Sequence, residues 1–156
     1  MLKHSFAALA LVALAACGGG GSPSTPTPTP VPTPTPAPLS YAGTFSGDSM
    51  TVTDDFGVRL AVASVRIAES GGLLVFGDLA MTTPYTANYP LGGVPHTNGR
   101  FDGSTGYESR GCGRATGRFS GYFSADARIL NFTMTLAFSS GASGCGTVDI
   151  RGELRR

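Results

Sequence analysis

Few residues in this 156-residue chain are equipped for chemistry. It has three cysteines, Cys17, Cys112 and Cys145, and two histidines, of which only His96 lies beyond the first sixteen residues. Cys112 and Cys145 each sit between glycines, in Gly111-Cys112-Gly113 and Gly144-Cys145-Gly146, a setting that suits two turns brought together. The Cys-x-x-Cys spacing of a redox pair is absent. In an exported chain such a pair is by default a disulfide, and closing that loop stabilises a fold by about 3–4 kcal/mol through lost chain entropy. One histidine weighs against a serine or cysteine triad and against a multi-histidine metal site. Asp54-Asp55 offers the hard carboxylate oxygens that calcium takes. The run Thr53-Asp54-Asp55-Phe56-Gly57 is, however, good hairpin-turn chemistry without any metal. Arg100, Arg110, Arg114 and Arg118 have the forks to hold an anion, with Asp102 and Glu108 close by in sequence to balance them. No metal or cofactor is expected.

Recognition chemistry concentrates in Thr82 to Asn98, which carries Pro84, Tyr85, Tyr89, Pro90, Pro95 and His96. It reads as a loop between two strands, longer than an ordinary hairpin connection, and such loops often carry binding. Tyrosine supplies contact area at little entropic cost. Tyr85, Tyr89 and His96 are therefore the candidate ligand-binding residues. The plainer alternative is that these tyrosines cover one open end of the fold.

The elements that must position these residues are strands. From Ile129 to Phe138, Leu130, Phe132, Met134, Leu136 and Phe138 share one face, and Asn131, Thr133, Thr135 and Ala137 the other. Strict period two means one side buried and one side wet. Thr147 to Leu154 repeats the pattern with Val148, Ile150 and Leu154 inward. Val58, Leu60 and Val62 alternate as a buried set, after which the inward register moves to Val65 and Ile67, implying a bulge near Ala63-Ser64. Ser70-Gly71-Gly72 turns into a strand from Leu73 to Met81. No window has a helical period. The expected fold is all-β, a small antiparallel barrel or sandwich, a meander of about eight strands.

An internal echo points to a barrel. Gly43-Thr44-Phe45-Ser46-Gly47, Gly99-Arg100-Phe101-Asp102-Gly103 and Gly117-Arg118-Phe119-Ser120-Gly121 all read G-x-F-x-G. In a strand the glycines and the phenylalanine share a face, so the sheet can bend tightly or a neighbouring aromatic can lie over the glycine. A phosphate cradle would need a helix N-terminus after the glycines, and none follows.

The start of the chain has a different character. Lys3 and His4 precede an apolar run from Phe6 to Ala13, and Leu14-Ala15-Ala16-Cys17 closes it. That ending resembles the bacterial lipobox, whose cysteine is acylated before the chain is cut just ahead of it. The apolar run is too short to span a bilayer as a retained helix. The resemblance implies a signal peptide over residues 1–16, a palmitate-type anchor on Cys17 and a lipoprotein. With Gly18 in place of the aspartate that marks inner-membrane retention, it implies the outer membrane, periplasmic or surface-facing. Residues 17–39 hold four glycines and then a Pro/Thr-rich run that builds neither helix nor ladder. This disordered linker, at ~3.1 Å per residue in extended polyproline II, reaches about 50 Å. Reading the run as a stalk needs no partner; a docking site for a proline-binding domain is the alternative.

Residues 40–156 form the expected β domain. It has ten arginines against ten aspartates and glutamates, and no lysine. A neutral domain is no phosphate-driven nucleic-acid binder. Gly47-Asp48-Ser49-Met50 resembles the Gly-Asp-Ser block of GDSL-type lipases, but strand formers Thr51-Val52-Thr53 follow where that family has a helix, and its Asp-x-x-His is missing. The overall plan of lipobox, low-complexity stalk and glycine–aromatic strands resembles surface lipoproteins of the transferrin-binding-protein-like and factor-H-binding groups. The expectation is thus a non-enzymatic outer-membrane lipoprotein whose membrane partner is reached through Cys17, and whose β domain binds a small molecule or a protein. The alternatives are an envelope scaffold without ligand, or a small hydrolase using Ser49 and His96.

Overall fold

The computed structural model of the chain describes residues 37–84, 86–139 and 145–156. Cys17, the expected signal peptide and linker up to residue 36, and Tyr85 lie outside the described residues. Ten strands follow one another without a helix among the described residues: β1 (Gly43–Asp54), β2 (Gly57–Ser70), β3 (Leu73–Phe76), β4 (Leu79–Thr83), β5 (Ala87–Tyr89), β6 (Gly92–Thr97), β7 (Arg100–Ser109), β8 (Gly113–Phe123), β9 (Ile129–Phe138) and β10 (Thr147–Arg155). All pairings are antiparallel. The order β1-β10-β9-β8-β7-β6-β3-β2 closes on itself through β1–β2, which makes an eight-strand barrel, and β4 and β5 extend the sheet from β2. β2 is long enough to carry β3 along one half (Ile67 to Ser70) and β4 along the other (Val62 to Ser64).

Two segments read differently from sequence are corrected here. Leu73–Met81 is not one strand: it breaks at Gly77-Asp78, where the Gly77 N–H still reaches the Arg66 carbonyl at 2.8 Å. The segment 82–98 is not a long loop. Ala87–Tyr89 pairs with β4, and Gly92–Thr97 pairs with β3 and turns tightly into β7 through Asn98-Gly99. Both turn residues have positive φ, 50° and 74°, the backbone that a two-residue hairpin requires and that Asn-Gly supplies.

The register of β2 also differs from expectation. Its buried residues are Ala61, Ala63, Val65 and Ile67, whereas Val58 and Leu60 are 68% and 67% exposed and Val62 is exposed beside them. No bulge interrupts β2; the irregularities lie in its partners, between Gly47 and Met50 on β1 and between Met81 and Thr83 on β4. The reason is space. Phe45 and Met50 of β1 pair with Val65 and Ala61, and both are fully buried, so small residues are needed opposite them.

The interior is a packed core rather than a chamber. Leu130, Phe132, Met134, Leu136, Ile150 and Leu154 are buried, as the alternation of β9 and β10 implies, and Phe45 and Phe119 are buried with them. Each such side chain contributes ~1.5–3 kcal/mol relative to exposure. The G-x-F-x-G triplets put Phe45, Phe101 and Phe119 inside, and their glycines are places of close approach. A Cβ on Gly103 would lie 2.7 Å from the Phe119 ring, and one on Gly121 would lie 2.8 Å from the Phe101 ring and 2.2 Å from the Asn131 carbonyl. Each aromatic therefore lies over the neighbouring strand's glycine.

β1, β3, β4, β7 and β9 run one way and β2, β5, β6, β8 and β10 the other, so the β1–β2, β4–β5, β7–β8 and β9–β10 connections gather at one end. The other end is plugged. Tyr41 stands edge-on to His96 with ring centroids 5.3 Å apart and packs 4.8 Å from Phe123, which in turn meets Phe45. Arg156 fastens the incoming chain there, donating from Nη1 to the Ala42 carbonyl at 2.6 Å.

Candidate binding pocket at the open end

The open end holds a pocket of about 320 Å³ whose walls come from six strands or their turns. Its aromatic wall is Tyr89 of β5, Tyr107 of β7 and Phe138 of β9. Tyr107 stands between the other two, 4.8 Å from Tyr89 and 6.3 Å from Phe138, with rings tilted by 57° and 83°. Tilted and edge-on contacts of this kind hold rings in place beyond their buried area. The corrected register of β2 supplies the polar wall. The alternation Ala61-Ala63-Val65-Ile67 continues back to Arg59, so Arg59 lines the mouth and pairs with Asp54, whose side chain is only 9% exposed. The Arg59 guanidinium also lies 5.9 Å from the centre of the Phe56 ring at the rim.

The acidic turn is structural. Asp54 Oδ1 accepts the Phe56 N–H at 2.9 Å, and Asp55 Oδ2 accepts the Gly146 N–H at 3.0 Å, tying the β1–β2 turn to the start of β10. These bonds are the turn reading of Thr53–Gly57. Among the described residues no group of three or more His, Cys, Asp or Glu gathers as a metal site would require. Beside the pocket, Cys112 of the β7–β8 turn is joined to Cys145 by a disulfide with Cα atoms 5.2 Å apart. The bridge clamps two of the connections that frame the mouth.

Of the sequence candidates, Tyr89 is nearly fully buried in the wall of this pocket, while His96 belongs to the plug at the opposite end, where its Nδ1 accepts the Gly99 N–H at 3.4 Å. The two do not form one site. Ser49 faces outward on β1, which has no neighbour relation to β6, the strand of His96. The four arginines do not converge either. Arg118 is within 4.0 Å of Asp102, Arg114 is paired across the ladder with Glu108, and Arg100 lies over Tyr122 at 5.1 Å.

Arg59 and Tyr107 were not among the residues singled out from sequence, and Asp54 was read there only as part of a turn or a cation site. An unbroken alternation from Arg59 through Ile67 is the signal that places Arg59 inside; the larger Val58, Leu60 and Val62 obscure it.

Comparison with known proteins adds no relative. The chain matches no family model, no curated protein and no solved structure.

Proposed function

We propose that this chain is an outer-membrane lipoprotein, anchored through Cys17, whose β-barrel binds a small ligand at its open end and does no catalysis. The observation that carries the reading is the pocket itself: about 320 Å³ between fixed aromatic rings and an ion pair whose carboxylate is nearly buried. Pockets that take small molecules combine apolar walls with a few placed polar groups in this way. A second feature supports presentation. The chain enters the barrel at the plugged end, by Tyr41 and Arg156, so the pocket opens on the side away from the linker's point of attachment.

The packed interior favours a second reading, an envelope scaffold that binds no small molecule. Native mass spectrometry of the full chain purified from its own cells separates the two. Ligand binding predicts an adduct that is lost on denaturation and absent in Ser109→Trp, where a large ring fills the pocket. A wild-type chain without adduct, still cross-linked to other envelope proteins in cells, would replace the binding reading by the scaffold. Antibody labelling of intact against permeabilised cells then decides between a surface and a periplasmic ligand.

A further inference from the structure

A larger concavity lies on the outside of the barrel, far from the mouth's aromatic wall. It is a groove of about 600 Å³ running across β7, β8, β9, β10 and β1. The ladders explain its shape. Phe101, Gly121, Phe132 and Gly152 are cross-strand partners in one row, and the side chains of Phe101 and Phe132 are buried in the core. The floor is therefore backbone, at two of four positions glycine. On one side runs the row Arg100, Tyr122, Asn131 and Glu153; on the other, Ser120, Thr133, Arg151 and Thr51. Five adjacent strands give the groove a length of about 19 Å at ~4.8 Å per strand spacing.

We propose that this groove binds a linear, uncharged oligosaccharide laid across the strands. The side walls carry both donors and acceptors: serine and threonine hydroxyls, the Asn131 amide, the Arg151 guanidinium and the Glu153 carboxylate. Sugar hydroxyls donate and accept alike, so they use such a mixed lining, whereas a phosphate would need donors alone. Two of these hydroxyls are already oriented, Ser120 Oγ lying 3.0 Å from Thr133 Oγ1. Tyr122 is 45% exposed on the rim, its ring steadied by the Arg100 guanidinium 5.1 Å from its centre. An exposed, steadied aromatic face suits the C–H face of a pyranose ring, being apolar in its body with a polar tip. An extended peptide would need a free strand edge to add to, and this groove crosses strands that are all paired on both sides. The balanced charge of the domain supplies no pull on nucleic acid.

The test is a titration of the full chain in detergent micelles, followed by amide NMR, with two hexasaccharides. A β-1,4-linked N-acetylglucosamine hexamer stands for wall glycan, and maltohexaose for a glucan from elsewhere. The expected result is saturable shifts at Gly121, Asn131 and Gly152 with one of them, the responding sugar naming the source. Tyr122→Ala and Arg151→Ala should each weaken binding tenfold or more, while Ser109→Trp at the mouth leaves it unchanged. That last variant keeps this site and the mouth pocket distinguishable. Thr133→Arg, an exposed substitution that blocks the groove, checks the result independently, and the amide spectrum reports that each variant is folded. Absence of groove shifts with both sugars, or binding indifferent to Tyr122→Ala and Thr133→Arg, would overturn the proposal.

Discussion

Asp126 shows what one exposed carboxylate does in this fold. In the β8–β9 connection it accepts from Ser124 Oγ at 2.6 Å and from the Arg128 N–H at 3.2 Å. These bonds, the Ser124 one first, hold its carboxyl below the usual aspartate range. A carboxyl with a depressed native pKa adds stability that is complete above its unfolded value and is lost as pH falls through the native one. Carboxyl NMR should therefore find Asp126 titrating at lower pH than a free aspartate, and Ser124→Ala should move it upward; an unmoved midpoint would assign the shift elsewhere. Gly121 makes a steric prediction. Its Cβ would meet a backbone oxygen that cannot step aside, so Gly121→Ala should cost about 3 kcal/mol by overpacking. Gly106→Ala, where the nearest atom would be 3.9 Å away, should stay within about 0.5 kcal/mol. Urea unfolding of the two variants side by side reads the difference.

At the scale of elements, the Cys112–Cys145 bridge joins two connections 33 residues apart. Cys112→Ser with Cys145→Ser should lower stability by about 3–4 kcal/mol if lost chain entropy is the cause. The native chain should take up no thiol reagent at either cysteine until reduced. This bridge was legible in the sequence because both cysteines sit in glycine turns, and β9 and β10 were legible because one face is wet and one buried. β2 was not. Its large residues point outward and its alanines inward, reversing the usual cue, because the space opposite is filled by Phe45 and Met50. β5 and β6 were obscured by Pro84, Pro90 and Pro95, although Asn98-Gly99 marks the hairpin that ends β6. The mouth pocket was half legible: Tyr89 came from composition, but Arg59 depends on the register of β2, and the separation of Tyr89 from His96 depends on which end each turn occupies.

On the scale of the whole molecule, the anchor reading makes a plain prediction. Cys17→Ser should move the chain from the membrane fraction to the soluble fraction, and continued retention in membranes would mean that something other than acylation holds it. Ring closure carries a consequence in time. Seven of the barrel's ladders join strands close in sequence, but β1 pairs with β10 across about a hundred residues, Thr51 opposite Arg151. Contacts so distant form late because chain must be closed first. The chain emerges with β1 first and β10 last, so one edge of β1 stands unpaired until β10 arrives. Unpaired edges recruit other chains unless they are bent or charged. The break in register between Ser46 and Thr51 on that edge, with Asp48 and Ser49 exposed within it, interrupts the edge in the middle. The irregularity in β1 is thus a guard for the waiting strand as well as a corner of the finished barrel.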